Sequence, residues 1–221
     1  NKVKVIKVVN IITKQEYIVE NNSITIPVNY NQTYSFEIIL VDNNDVEIIL
    51  RSLTIKPGSS MNPYEISNVD DLKNINSNLE AVYKLTDHID LINEEWEPIS
   101  LNVNTAFKGI LDGNGYEIKN LTMEDEQEFA GLFGYNNGEI RNIKLVDVNI
   151  NIEGSTIGAI AVGNIGGTIK NSLVSGQISG KEVGGISALN INYNNKPAII
   201  TNCYTNVTVS GRVIGGIVSR N

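Results

Sequence analysis

His88 is the only histidine of this chain and Cys203 its only cysteine. A zinc peptidase needs His-Glu-x-x-His or a comparable ligand set, which one histidine cannot supply. A Ser-His-Asp or Cys-His machine would have to use the same His88. Ser67 and Ser77 lie nearby in sequence, but neither sits in a nucleophile elbow. His88, in Thr86-Asp-His-Ile-Asp90, is therefore read as a structural residue of a strand. Glycoside cleavage asks for two carboxylates facing each other across the substrate, and Asp112, Glu117, Glu139 and Asp147 are the candidates. Asp112 lies in Leu111-Asp-Gly-Asn-Gly115, where Asp and Gly explain themselves as turn residues. Between 157 and 221 the only acid is Glu182. Gly113-x-Gly115 is followed by no Lys-Ser/Thr, so it is no phosphate loop. No catalytic residue, metal or cofactor is expected of this chain.

Composition narrows the partners. The chain has 221 residues and a formal charge of −8. That field repels phosphate backbones, which argues against nucleic acid. No apolar run approaches the ~20 residues of a membrane-spanning helix, which argues against direct membrane insertion. Cys203 alone cannot form an intrachain disulfide. The chain has no initiator Met and ends in mid-repeat, at Ile217-Val-Ser-Arg-Asn221, and is read as a fragment of something longer. The sequons at Asn21, Asn31, Asn120 and Asn206 are read as chance in an Asn-rich sequence.

The elements that would hold any site come from a repeat. Ile118-Lys-Asn120, Ile140-Arg-Asn142, Ile169-Lys-Asn171 and Ile200-Thr-Asn202 echo one another, with Asn spacings of 22, 29 and 31. Ala130-Gly131-Leu132, Gly158-Ala159-Ile160, Gly184-Gly185-Ile186 and Gly215-Gly216-Ile217 form a second set, spaced 28, 26 and 31. Short apolar runs separated by Gly or Asn alternate with charged residues, as on half-buried strands. Three strands and three bends per repeat make one coil of a parallel β-helix. Gly113, Gly131, Gly185 and Gly216 are assigned to corners that need close packing or positive φ. Asn120, Asn142, Asn171 and Asn202 are expected to superpose at one left-handed corner, with amides stacked along the axis.

The expected fold is all-β: a small β-sandwich over residues 1–56, Ig-like or fibronectin type III-like, then a linker over 57–63, then a capped parallel β-helix over 64–221. The sandwich rests on strands at 2–9, 24–28, 34–41 and 46–55, with a turn at Asp42-Asn-Asn-Asp45. Ser67 or Asn68 caps a short helix over 67–76, whose apolar Val69, Leu72 and Ile75 must lie against the first coil. A strand at 83–91 leads into a right-handed helix of about four coils.

The motifs Trp96-Glu-Pro-Ile99, Phe107-Lys-Gly109, Leu111-Asp-Gly-Asn-Gly115, Gly131-Leu-Phe-Gly134, and Val-Gly-Gly-Ile at 183–186 resemble the GLUG-type repeats of bacterial surface proteins. Similar repeats occur in adhesin-like proteins and in the non-catalytic N-terminal part of immunoglobulin A1-cleaving zinc metallopeptidases. The resemblance covers roughly residues 63–221; the unit at 157–163 departs from the Gly-Leu-Phe-Gly form. It implies an extracellular or wall-anchored bacterial parent, and for this chain a recognition or spacer role with a host protein or glycan as partner. The alternatives are a substrate-presenting accessory region of a peptidase and a carbohydrate-active β-helix enzyme of the pectin lyase or polygalacturonase kind. Insertions between coils gather where binding occurs. The acidic loop 124–128 and the loop Asn190–Pro197, with Tyr193, Asn194, Asn195 and Lys196, are the binding candidates.

Overall fold

The computed structural model describes residues 3–21, 23–27, 32–124 and 127–221. Asn31 of the second sequon, Val28 of the expected strand at 24–28 and residues 125–126 of the acidic loop lie outside the described residues. The chain divides into two compact units, Asn1–Tyr64 and Glu65–Asn221.

In the first unit, strands Glu16–Ile18, Val3–Asn10, Tyr34–Asp42 and Glu47–Ile55 form one antiparallel sheet in that spatial order. Val8, Phe36 and Ile39 are its buried apolar residues, and Lys7 and Asn10 are buried with them. Residues 24–27 are not a strand; Glu16–Ile18 takes the edge instead. A sandwich needs a second sheet, and the described residues supply one sheet only. Asp42–Asp45 is the hairpin turn: the Asp42 carboxylate accepts from the Asn44 and Val46 N–H groups, at 2.8 and 3.0 Å, and Asp45 is left-handed.

The second unit is a parallel β-solenoid of about five turns. Each full turn holds four strands on four faces. The first face stacks Tyr64–Ile66, Val82–Leu85, Ile110–Asp112, Glu139–Arg141, Thr168–Lys170 and Ile199–Thr201. The second stacks Ile89–Asp90, Glu117–Lys119, Lys144–Asn151, Leu173–Ser179 and Tyr204–Ser210, with Thr122–Met123 also pairing on Lys144–Asn151. Phe129–Ala130, Thr156–Gly158, Glu182–Gly184 and Val213–Gly215 make the third, and Phe133–Asn136, Ala161–Ile165, Ser187–Ile191 and Val218–Arg220 the fourth. Parallel pairing of Ala130 with Ile157 and of Ile157 with Val183 is as the repeat predicts. The count of three strands per coil is corrected to four, because a run such as Ile140–Leu145 bends at Asn142 and serves two faces. The expected strand at 83–91 is likewise two short strands, Val82–Leu85 and Ile89–Asp90.

A short helix, Val69–Lys73, runs into a 3-10 turn at Asn74–Ser77. Asn68 is its N-cap, accepting from the Asp71 N–H at 2.9 Å, and Asp70 and Asp71 lie in the first turn, favoured by the helix dipole. Leu72 and Ile75 are buried.

Inside, the same side chain recurs turn after turn. Leu111, Ile140 and Ile169 form one buried column, and Ile118, Leu145 and Val174 another. Backbones of successive turns approach so closely at the corner between the third and fourth faces that side chains are excluded. A Cβ on Gly131 would lie 2.1 Å from the Gly158 carbonyl oxygen, and one on Gly185 2.1 Å from that of Gly216. Gly113 faces the Asn142 carbonyl in the same way, whereas a Cβ on Gly216 meets nothing. Close approach, more than positive φ, is what the corner glycines serve.

Asn142, Asn171 and Asn202 stack at the corner between the first and second faces. All three are left-handed, at φ 55°, 52° and 52°. Each donates its amide to the turn before: Asn142 to Asp112 at 2.8 Å, Asn171 to Asn142 at 3.4 Å, and Asn202 to Asn171 at 3.4 Å. Asn120 does not join them. It follows Glu117–Lys119 on the second face, is left-handed at φ 59°, and donates to Asp90 at 2.7 Å. A second column, absent from the sequence reading, runs along the end of the fourth face. Asn136 donates to Asn164 at 2.8 Å, Asn164 to Asn190 at 2.8 Å, and Asn190 to Asn221 at 2.6 Å. Asn136 and Asn164 are 0% exposed, so these amides have no water to fall back on.

Two tests follow from this packing. Ile140 is wholly buried and Lys144 exposed, so Ile140→Asp should cost about 3 kcal/mol or more and Lys144→Ala within about 0.5. Equal thermal shifts for the two would overturn the inward and outward assignment. For the columns, Asn164→Ala orphans buried amide groups and should cost about 2–3 kcal/mol. Asn171→Ala should cost about 1–2 kcal/mol through its left-handed backbone, and Asn171→Gly should recover most of that. If Asn171→Gly is as unstable as Asn171→Ala, the side-chain ladder and not the backbone holds that corner.

Candidate functional site

Three of the four carboxylates singled out as possible catalysts, Asp112, Glu117 and Glu139, are tied up in ion pairs on the outer side of the solenoid. Arg141 donates through Nε to Asp112 and through Nη1 to Glu139, both at 2.8 Å, and Lys170 reaches Glu139 at 3.1 Å. Burial pushes the Asp112 carboxyl up, but bonds from the Asn142 amide, the Asn114 N–H and Arg141 outweigh it and hold it below its usual value. Burial acts the same way on Glu139, and Arg141 and Lys170 again prevail. Glu117 is held low chiefly by its bond from Lys119. A general acid needs a raised pKa; these three are moved the other way. Asp147 is an exposed left-handed residue on the second face.

His88 is part of the same surface. Its Nδ1 accepts from the Glu117 N–H at 3.1 Å, and its ring meets Tyr116 edge-on. Ser67 donates to Asp71 at the start of the helix, and Ser77 donates to the Asn74 carbonyl. Each serine is thus spent on local structure. Cys203 is half-buried, and burial pushes its thiol up, away from nucleophilic character.

The loop at 190–197 is a built structure. Tyr193 and Lys196 exchange both backbone hydrogen bonds, at 3.0 and 2.9 Å. Asn194 and Asn195 between them are left-handed, at φ 49° and 61°. That is a two-residue hairpin turn of the primed kind, which asks for φ > 0 at both central positions. The Lys196 ammonium then reaches back to Asn137, bonding its carbonyl oxygen, with the Asn137 side-chain oxygen at 3.5 Å. Asn137 itself donates to the Ile165 carbonyl at 2.5 Å. The hairpin therefore overhangs the corner between the fourth and first faces.

Beneath the overhang lies a cleft of about 350 Å³, bounded by Val103, Asn104, Lys108, Asn137, Tyr193 and Lys196, with Ala106 and Ile165 as apolar floor. Its walls come from four successive turns, so it runs along the solenoid axis for about 14 Å at the usual strand spacing. Tyr193 is 41% exposed toward solvent. Of the four residues expected to bind, Tyr193, Asn194 and Lys196 line this cleft, and Asn195 shapes the turn. Asn104 and Lys108 also line it. The sequence reading missed both; they belong to the corner one turn before Asn137, where Phe107 pairs with Asn136. A larger cleft, about 570 Å³, is lined by Lys73, Trp96 and four glutamates, among them Glu124 of the acidic loop.

Comparisons with known proteins agree with this architecture. The chain is 34% identical to halomucin of Haloquadratum walsbyi over 58% of its own length, which is 2% of that protein. A candidate immunoglobulin A1 protease from Bacteroides ovatus, seen in a crystal structure, superposes with a TM-score of 0.61 at 26% identity, over 68% of this chain and 49% of the other. The match thus spans a small part of the first relative and about half of the second. No protein-family profile matches the chain. Among the described residues no helix is long and apolar enough to cross a membrane.

The ion-pair cluster sets a pH dependence. Asp112 and Glu139 are each held below their ordinary carboxyl values in the folded state. A depressed carboxylate contributes stability that is complete above its unfolded value and is lost as pH falls through the folded one. The thermal midpoint should therefore hold down to about pH 4–5 and drop below it. Asp112→Asn should lower the midpoint at pH 7 and flatten the acid fall. An unchanged acid profile in that variant would remove Asp112 from the cluster's energetics.

Proposed function

We propose that this chain is a non-catalytic recognition and spacer segment of a larger secreted or surface protein, and that the overhung corner cleft is where it recognises its partner. One observation carries the reading: the chain spends a left-handed Asn-Asn turn and a lysine bridge across 59 residues to hold a hairpin over a corner. A merely tolerated insertion needs no such tether. The likeness to halomucin and to the Bacteroides protein supports a secreted or surface parent. In this reading the repeats are of the GLUG type, as the Phe-Lys-Gly and Val-Gly-Gly-Ile motifs support. The helix at Val69–Lys73 caps the first turn, supported by the burial of Leu72 and Ile75. The first unit is a small sandwich-type module, supported by its antiparallel sheet and the exposed Ile48, Ile49 and Leu50.

The likeness to the Bacteroides protein favours a second reading, in which the segment presents a protein substrate to a peptidase elsewhere in the parent. Both are tested together. The purified chain, and a variant with residues 192–197 replaced by Gly-Gly, are passed over immobilised immunoglobulin A, mucin and polyuronates. Retention by the intact chain that is lost in a variant of unchanged fold is expected. Selective retention on immunoglobulin A, without cleavage, favours presentation. Retention that survives the replacement removes the cleft from the site.

A further inference from the structure

We infer that the corner cleft takes a polyuronate, an oligosaccharide chain bearing one carboxylate per sugar. This rests on the reading of the cleft as the recognition site and adds the chemistry of its ligand. The chain carries 25 acidic residues against 17 basic ones, yet this cleft is lined by two lysines and no acid. The larger cleft shows the opposite balance, four glutamates to one lysine. Lys196 is anchored on the oxygens of Asn137, and among the described residues no carboxylate pairs with it. Lys108 contacts Glu80 at 3.2 Å, but both side chains are more than half exposed, and such a pair exchanges partners at little cost. The cleft thus holds positive potential in a negative molecule, which selects an anion.

The remaining walls select a sugar. Tyr193 offers a solvent-facing ring against which the C–H face of a sugar can stack, and Asn104 and Asn194 offer amides for hydroxyl groups. The trough crosses four turns and draws one lysine from the first and one from the last of them, so it suits charge repeated along a chain better than one terminal acid. An acidic peptide would look for an open sheet edge for its backbone, and this corner lies between strands.

The intact chain is titrated calorimetrically with trigalacturonic acid, its methyl ester, sialyllactose and triglutamate. Trigalacturonic acid should bind, the ester at least about tenfold more weakly, and affinity should fall with salt. Lys108→Gln and Tyr193→Ala should each weaken binding about fivefold or more with an unchanged thermal midpoint. Lys196→Gln should do the same, but it also frees the hairpin, so Lys108→Gln is the deciding variant. No heat with trigalacturonic acid, equal binding of the ester, tighter binding of sialyllactose or triglutamate, or no effect of the Lys108→Gln/Tyr193→Ala double variant each overturns the inference. If capture of mucin or immunoglobulin A still depends on the hairpin while trigalacturonic acid fails, the ligand class falls and the recognition site stands. If the hairpin is dispensable for every ligand, both fall.

Discussion

Hydrogen bonding between successive turns governs everything else in the solenoid. Each strand pairs in parallel with its counterpart one turn on, so each residue is laid over the residue that plays its part in the next turn. The spacing between turns is then fixed near 4.8 Å. Whatever side chain occupies a position must tolerate a copy of itself at that distance. Ile over Ile over Leu does so in the core. Asn over Asn does so because an amide is donor and acceptor at once, and can bond forward and backward along a column. Like charges do so only with a counter-charge beside them: in the first-face column Lys84–Asp112–Arg141–Lys170, Arg141 and Lys170 are neighbours, and Glu139 bonds both.

The same constraint decides where recognition can be placed. An inserted residue within a strand would shift the register of its turn and expose the core side chains. An insertion at a corner shifts nothing, because the corner residues are outside the ladders. The hairpin at 193–196 is such an insertion, leaving Asn164 paired with Asn190 before it and Thr168 with Ile199 after it. The faces themselves are flat, and concavity arises only where a corner insertion leans back over earlier turns. Lys196 supplies the lean.

Much of this was legible in the sequence and some was not, for identifiable reasons. The coil period, the parallel pairing and the corner role of Asn142, Asn171 and Asn202 followed from spacing alone. Asn120 was misplaced because Ile-x-Asn encodes only an inward residue, an outward residue and a left-handed step. A turn has two places for that pattern: Asn142 follows the first face, while Asn120 sits beside the second-face bend that Asp147 occupies one turn on. Only pairing tells them apart. The column Asn136–Asn164–Asn190–Asn221, buried at its first two members, carries the spacings 28, 26 and 31, the same as the glycine set five residues earlier, so its signal was present. It went unseen because an Asn outside a turn reads as a surface residue. The first unit was read as a sandwich because alternating strands show that a face is covered without showing by what.

The acidity of the chain also acquires a structural meaning. Aspartate and glutamate concentrate before residue 157, and beyond it Glu182 stands alone, paired with Arg220 at 2.6 Å. The later turns replace outward charge with Ser, Thr, Asn and Gln along the second face. Neutral polar side chains stack on their own kind without repulsion, so these turns need no bridging counter-charge. The cost is solubility conferred by net charge, which the earlier turns supply for the whole unit. With few carboxylates on the later turns, the Lys196 ammonium keeps its field. The gradient of charge along the solenoid is therefore what leaves Lys196 available to something other than the protein itself.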